Sequence, residues 1–172
     1  DVSGLPPGLA IDSTAFAGAE EFPRFENVAA SAGLDTFDYA GGAIVDDFDN
    51  DGYLDVITST MDPNGQVRFF RSRGDGTFEE LTTTANLVGI VGGLDINQTD
   101  FDNDGDLDVL VLRGAWLDAD GRNPNSLLRN NGDLTFTDVT FEAGLGDVHY
   151  PTQTAAWGDY DGDGDLDLAL SG

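Results

Sequence analysis

The sequence contains no cysteine and no lysine, and it has only one histidine. The absence of cysteine excludes disulfides, thiol catalysis and zinc–thiolate sites. The sequence also has no G-x-S-x-G nucleophile elbow and no glycine-rich loop of the phosphate-binding type, so we expect no enzyme. No apolar run approaches the ~18 residues that a membrane-spanning helix needs, so we expect no membrane insertion.

Positive charge is scarce, because seven arginines face 33 acidic residues and the formal net charge is −26. This charge argues against binding to nucleic-acid phosphates. The length of 172 residues fits one domain or a short array of repeats, and a hydrophobic content of 40% suffices for a packed core. Most of the acid is aspartate, and glycine is also abundant. Both are loop residues, which disfavours a mainly helical protein.

The two ends of the sequence differ in character. Residues 1–21 are rich in glycine, proline and alanine and show no hydrophobic periodicity, so we expect an extended N-terminal arm. The chain starts at Asp1 rather than at methionine, and we interpret it as a processed or excised product. Residues 22–172 contain repeated patterns and are predicted to form one repeat domain.

One acidic loop pattern, D-x-D-x-D-G-x-x-D, occurs three times. The copies begin at Asp47, Asp100 and Asp159, and we number their positions 1 to 9. Carboxylates this close together repel one another unless a cation neutralises them. Calcium takes six to eight oxygen ligands, which alternate residues of a tight loop can supply. The glycine at position 6 allows the sharp turn that such a loop requires.

The predicted ligands are the carboxylates at positions 1, 3, 5 and 9 and the backbone carbonyl at position 7. They are Asp47, Asp49, Asp51, Tyr53 and Asp55 in the first loop, Asp100, Asp102, Asp104, Asp106 and Asp108 in the second, and Asp159, Asp161, Asp163, Asp165 and Asp167 in the third. We therefore expect about three calcium ions. Magnesium suits the loops less well, because it retains its waters and requires strict octahedral geometry.

The loops differ from the EF-hand, whose twelfth position is a bidentate glutamate between two helices. Position 12 is Thr58, Val111 and Leu170 in the three copies. Apolar runs of strand length follow each loop, at residues 54–57 and at the matching places in the other copies. Hairpin turn signals then follow at residues 74–76 and 131–133. The pattern predicts strand–loop–strand–hairpin–strand units with little helix.

Residues 157–168 and 128–140 resemble FG-GAP/VCBS repeats, in which the acidic loop and the downstream hairpin both match. The resemblance implies an all-β fold of tandem four-stranded antiparallel blades of the integrin-type β-propeller, with calcium between the first two strands of each blade. We expect about three blades, with units around 22–34, 35–87, 88–145 and 146–172. One blade is then split between the N- and C-terminal ends of the chain.

A split blade exposes a strand edge that must be covered. The two ends could meet within one molecule, the chain could belong to a longer propeller, or the half-blade of one copy could be completed by the N-terminal arm of the next. The leading hypothesis is a secreted, calcium-stabilised structural protein, a subunit of an extracellular head-to-tail assembly or filament of its own copies. The alternative is a calcium-dependent adhesion or glycan-binding module of a larger surface protein, with glycans or cell-surface proteins as partners.

Several further residues could bear on function. Asn97 begins an N-x-T sequon and is a candidate glycosylation site. The tripeptide Arg73-Gly74-Asp75 aligns with the hairpin of the next unit, so we interpret it as a turn rather than as an adhesive motif. Trp157 is predicted to pack in the repeat core, whereas Trp116 is the better candidate for stacking on a sugar. His149 has no matched partner and is interpreted as structural.

Overall fold

The computed structural model describes residues 25–36, 39, 41–114, 124–147 and 151–172. This part of the chain contains ten β-strands and one four-residue helix, α1 (Ala29–Ala32). The strands are β1 (Ala43–Asp46), β2 (Asp55–Thr58), β3 (Arg68–Ser72), β4 (Phe78–Glu80), β5 (Asp95–Thr99), β6 (Asp108–Leu112), β7 (Ser126–Asn130), β8 (Phe136–Asp138), β9 (Thr154–Gly158) and β10 (Asp167–Ser171). The prediction of an all-β repeat protein with little helix is confirmed.

The strands form three sheets whose neighbours are all antiparallel. Sheet 1 has the order β1-β2-β3-β4, sheet 2 has the order β5-β6-β7-β8, and sheet 3 contains β9 and β10. Val56 pairs with Phe70 in sheet 1, and Val109 pairs with Leu128 at the equivalent place in sheet 2. The two four-stranded sheets therefore share one register, as expected for successive copies of one unit.

Tight turns join the third and fourth strands. In sheet 1, the Asp75 carboxylate accepts hydrogen bonds from the backbone N–H and the hydroxyl of Thr77, at 2.9 and 2.6 Å. Asp133 accepts the same pair of bonds from Thr135 in sheet 2. Gly74 lies inside the first turn with φ of 73°. The Arg-Gly-Asp tripeptide is thus part of the repeat's hairpin, as predicted.

A hydrophobic core fills the space between sheets 1 and 2. Phe48, Phe69 and Phe136 pack edge to face in this core, with ring centroids 5.9 to 6.5 Å apart. A second core lies between sheets 2 and 3, where the half-buried Trp157 packs against a cluster that includes Leu110 and Leu127. Sheet 2 is therefore covered on both faces, and every residue of β6 is buried.

The N-terminal match to the repeat approaches sheet 1 at Gly33. Helix α1 ends at Gly33, which has φ of 80° and approaches the backbone of β4 so closely that an added Cβ would lie 3.0 Å from the Phe78 carbonyl oxygen. The C-terminal half-unit forms a sheet of two strands, and none of residues 25–36 belongs to it. The predicted arm 1–21, Trp116 and His149 lie outside the described residues.

Candidate metal centres

Each acidic loop connects the first strand of a sheet to the second. In all three loops the carboxylates at positions 1, 3 and 9 converge, with one oxygen from each lying within 4.8 Å of the others. The converging residues are Asp47, Asp49 and Asp55, then Asp100, Asp102 and Asp108, then Asp159, Asp161 and Asp167. Nine of the predicted ligands are thus arranged in three clusters that each could hold one cation.

The position-1 carboxylate organises the backbone of its loop. Asp47 accepts hydrogen bonds from the N–H groups of Asp51 at 3.0 Å and Gly52 at 2.8 Å. Asp100 and Asp159 accept the same two bonds from positions 5 and 6 of their own loops. These contacts lie within six residues of sequence, so each loop can form its geometry independently of the rest of the chain.

Two positions of the loop adopt left-handed backbone conformations. The predicted glycine at position 6 has φ of 89°, 95° and 98° in the three copies. Position 4 is also left-handed, with φ of 57° at Asn50, 60° at Asn103 and 78° at Gly162. Asparagine and glycine tolerate this conformation best. Sequence reasoning missed position 4, although the choice of Asn, Asn and Gly was a signal for it.

The position-9 aspartates of the first two loops are buried. Asp55 and Asp108 are 0% and 1% exposed. Asp55 accepts a hydrogen bond from the backbone N–H of Ser72 at 2.7 Å, and Asp108 accepts one from the N–H of Asn130 at 2.8 Å. Each donor lies at the end of the third strand of the same sheet. The third strand therefore fixes the position-9 carboxylate.

The third loop lacks this contact. Asp167 is exposed, and its Oδ2 accepts a hydrogen bond from the N–H of Tyr160 at 2.8 Å. The equivalent bond from position 2 is present in the other two loops, to Asp55 from Phe48 and to Asp108 from Phe101. The local part of the site is therefore complete in all three copies, and the part contributed by a third strand is present in two.

Burial makes the negative charge of these carboxylates costly. It raises the pKa of Asp55, and it raises the pKa of Asp108 to about 6, although backbone hydrogen bonds oppose the shift in both cases. Among the described residues, no arginine lies within ion-pair distance of Asp108. A bound cation would remove the cost of keeping this group ionised.

An arginine accompanies the first loop. Arg71 donates hydrogen bonds from Nε to Asp49 at 2.5 Å and from Nη2 to Asp51 at 2.8 Å. Arg129 is the equivalent residue of sheet 2, and its positive charge opposes the rise in the pKa of Asp102 that burial causes. Sequence reasoning did not place this arginine beside the loop. The alignment of the two hairpins indicated it, because Arg71 and Arg129 occupy the same position in the two units.

Positions 5 and 7 play other roles in the structure. The position-5 aspartates lie outside the converging sets, and each accepts the N–H of position 7 at 2.9 Å. The side chain of Asp106, at position 7, accepts a hydrogen bond from Asn50 of the first loop at 2.8 Å. Ligation by position 5 and by the position-7 carbonyl stays a prediction. The link between the first two loops was not predicted.

The donor set suits a hard cation. Every converging atom is a carboxylate oxygen, and neither histidine nor cysteine takes part. Hard cations such as calcium prefer oxygen ligands, whereas zinc and copper favour nitrogen and sulfur. The sites therefore fit the predicted ion in ligand chemistry, and the buried carboxylates of Asp55 and Asp108 give it a negative charge to neutralise.

The structure also shows the surroundings of Trp157 and Asn97, two further residues that the sequence analysis considered for function. Trp157 stacks on Phe101 with a centroid distance of 6.3 Å, which confirms that it packs in the core. Asn97 lies in β5 and is half-buried, and its buried Oδ1 has no hydrogen-bond partner within the part of the chain that the structure describes. Glycosylation of Asn97 stays a prediction, and the burial of its side chain in the folded chain does not favour it.

A cleft of about 260 Å³ lies beside the connection between β4 and β5. Its basic residue, Arg113, donates hydrogen bonds to the carbonyl of Pro124 and to the hydroxyl of Ser126. Burial lowers the pKa of Arg113 to about 10. Through these hydrogen bonds Arg113 links the loop before β7 to β7 itself. The described lining residues of the cleft include no nucleophile paired with a general base.

The family model of the FG-GAP-like repeat matches the chain twice, at residues 47–111 and 100–170. Each match begins at position 1 of an acidic loop, continues through the next acidic loop and ends in the strand that follows it. The two matches together span more than half of the chain. The chain belongs to the FG-GAP-like repeat family.

Two curated relatives carry the name cartilage acidic protein 1. The protein of Xenopus tropicalis is 25% identical over 164 residues, which cover 93% of this chain and 24% of the relative. The protein of Mus musculus is 28% identical over 162 residues, which cover 86% of this chain and 23% of the relative. The chain thus spans about a quarter of the length of these relatives. Within the described residues, no helix is long and apolar enough to cross a membrane.

Proposed function

We propose that this chain is a calcium-stabilised structural module of an extracellular repeat protein. The observation that carries the proposal is the convergence of three carboxylates in each of three loops, two of them with a buried aspartate. Each loop joins the first two strands of a sheet, so an ion bound there holds those strands together. The ions would take the stabilising role that disulfides have in many secreted proteins.

Several observations support a structural role outside the cell. The relatives are named for cartilage, and this chain shares with them an acidic character, with a net charge of −26. Extracellular modules can use calcium sites with dissociation constants of about 10⁻⁴ to 10⁻³ M, because calcium is plentiful there. The converging carboxylate clusters of the described residues lie in the loops, where a bound ion would occupy them, and this favours a scaffold over an enzyme.

Thermal unfolding with and without calcium tests this function. A ligand that binds only the folded state stabilises it by mass action, so calcium is expected to raise the Tm of the chelator-treated chain by several degrees or more. Magnesium at the same concentration serves as the control ion and is expected to raise it less. An unchanged Tm over the calcium titration would contradict the proposal.

A pair of variants tests whether the calcium-induced rise in Tm comes from binding in the acidic loops. Asp100→Asn removes a converging carboxylate from the second loop and should lessen the calcium-induced rise in Tm without abolishing it. Asp133→Asn removes one acidic charge from the exposed hairpin turn and should leave the rise intact. Equal losses in both variants would mean that calcium acts through net charge alone.

Head-to-tail assembly of copies is a second candidate function, favoured by the two-stranded sheet at the C-terminal end. Electron microscopy in calcium should then show filaments, and uniform small particles would contradict it. The adhesion and glycan-binding alternative stays a prediction.

A further inference from the structure

The cleft of about 260 Å³ lies at the end of sheets 1 and 2 that is opposite the acidic loops. Its walls come from three connections, β2–β3 at Pro63, β4–β5 at residues 89–93, and β6–β7 at Gly114 and Pro124. The acidic loops join β1 to β2 and β5 to β6, and successive connections of antiparallel strands alternate between the two ends. The cleft is therefore separate from the candidate metal centres.

Two charged side chains of opposite sign line the cleft. Arg113 follows β6, and Asp138 is the last residue of β8. Within the described part of the chain, neither takes part in an ion pair of 4.0 Å or less. Burial lowers the pKa of Arg113 to about 10, and the negative charge of Asp138 opposes this shift. The two charges thus interact through the cleft without contacting each other.

Each of these side chains keeps one polar atom free for a ligand. Arg113 uses Nε and Nη1 in three hydrogen bonds to the cleft wall, and its Nη2 has no partner among the described residues. Asp138 accepts the N–H and the hydroxyl of Thr140 on Oδ1, and its Oδ2 accepts no hydrogen bond from the described chain. The cleft therefore offers one cationic donor and one anionic acceptor.

Arg113 is not part of the repeat pattern. Val109 of β6 and Val56 of β2 occupy the same register, so the residue of sheet 1 that corresponds to Arg113 is Thr60. Sheet 1 forms the same order of four strands with threonine at this place. The arginine is thus not required to build a sheet of this kind, which leaves its charge available for a ligand.

A glycine keeps the cleft open beside Arg113. Gly92 has φ of 71°, and an added Cβ would lie 3.6 Å from Cα of Pro63 and 3.8 Å from Nε of Arg113. Pro63, Ile90 and Pro124 supply apolar wall. A cavity of about 150 Å³ suffices for benzene, so a cleft of 260 Å³ has room for roughly ten non-hydrogen atoms.

We propose that this cleft binds a free α-amino acid with an apolar side chain of the size of leucine. The carboxylate of the ligand accepts a hydrogen bond from Nη2 of Arg113, its ammonium group donates to Oδ2 of Asp138, and its side chain lies against the apolar wall. A ligand with one charge leaves the opposite group of the cleft unpaired. A polyanion is repelled by the net charge of −26. The inference goes beyond the proposed structural function and does not depend on it.

A titration of the full chain in calcium with L-leucine, followed by ¹H–¹⁵N NMR, tests the proposal. The amide signals of residues 89–93 and Gly114 should shift and saturate, with a dissociation constant of about 1 mM or lower for a ligand of this size. Isocaproate lacks the ammonium group and isoamylamine lacks the carboxylate, and each should bind about tenfold more weakly or worse. Binding of either analogue as tight as that of leucine, or shifts outside the cleft alone, would overturn the proposal.

Variants of the two charged residues test the contacts. Asp138→Asn keeps an oxygen for Thr140 but removes the charge, so it should weaken leucine about tenfold or more and should not weaken isocaproate. Arg113→Gln should weaken both ligands. Asp133→Asn removes the same charge from the exposed hairpin turn and serves as the control that leaves leucine binding unchanged.

The proposal stays falsifiable if Arg113→Gln does not fold. Asp138→Asn and Asp133→Asn then decide, because they change one acidic charge each and only the first lies in the cleft. Equal leucine binding by these two variants would overturn the proposal. A rise of the Tm in calcium together with no leucine binding would leave the calcium function standing and would show that the cleft assignment is wrong.

Discussion

Sheets 1 and 2 differ from sheet 3 in the burial of one equivalent aspartate. The comparison separates the effect of the loop sequence on this burial from the effect of the strands that pack around the loop. The aspartate at position 9 of the loop is 0% and 1% exposed in the first two sheets, as Asp55 and Asp108, and Asp167 is exposed in the third. The loop sequences are nearly the same, and the first two strands of each sheet pair antiparallel in the same way. The loop sequence alone therefore does not bury the carboxylate, and the third strand, whose N–H contacts it in the first two sheets, contributes to its burial.

The aromatic residue at position 2 shows the effect of the neighbouring sheet. Phe48 is 1% exposed because it packs on Phe69 of its own sheet and Phe136 of the next. Phe101 stacks on Trp157, whereas Tyr160, for which the described chain has no following sheet, is 94% exposed. Burial at this position is thus decided by what lies beyond the loop.

Substitution of the position-2 aromatics should give the largest difference between sheets 1 and 3 in the loss of unfolding free energy. Phe48→Ala removes a ring from the core between sheets 1 and 2, and we expect a loss of about 3–5 kcal/mol in the free energy of unfolding. Tyr160→Ala alters an exposed side chain and should change stability by less than about 0.5 kcal/mol. Urea unfolding in calcium measures both. Similar losses would show that Tyr160 is buried in solution.

Removal of the position-9 carboxylate should give a smaller difference in the loss of unfolding free energy, here between sheets 2 and 3. Asp108→Ala leaves the part-buried N–H of Phe101 and the buried N–H of Asn130 without an acceptor, at a cost of roughly 2 kcal/mol or more. Asp167→Ala exposes its one donor to water and should cost less than about 0.5 kcal/mol. Unfolding in chelator keeps metal binding out of the comparison. A loss at Asp167 as large as that at Asp108 would contradict the role given to the third strand.

The arginine beside the first loop should give the smallest effect. Arg71 is about a third exposed, so Arg71→Ala in chelator is expected to cost less than about 1 kcal/mol. Arg73→Ala, which removes the more exposed pair with Glu79, serves as the control and should be close to neutral. A loss of several kcal/mol at Arg71 would mean that the pair is part of the folding core.

The features that sequence predicted are those encoded within a few residues. The loops, the strand-length apolar runs and the hairpin turns each depend on local patterns, such as the contacts of Asp47 with Asp51 and Gly52. The three converging carboxylates of each loop follow from the same nine residues.

The features that sequence did not predict join residues far apart in the chain. Ser72 contacts Asp55 across 17 residues, and the side chain of Asn130 donates to the Phe48 carbonyl across 82 residues. No periodicity signals such pairs, because they depend on how strands and sheets pack. The close approach of Gly33 to the backbone of β4 is likewise a long-range contact that the shared motif does not signal.

Native mass spectrometry of the chain in the presence of calcium tests the central claim most directly. The account predicts a dominant species carrying three calcium ions. A spectrum dominated by the bare chain, at calcium concentrations that saturate extracellular modules, would contradict it.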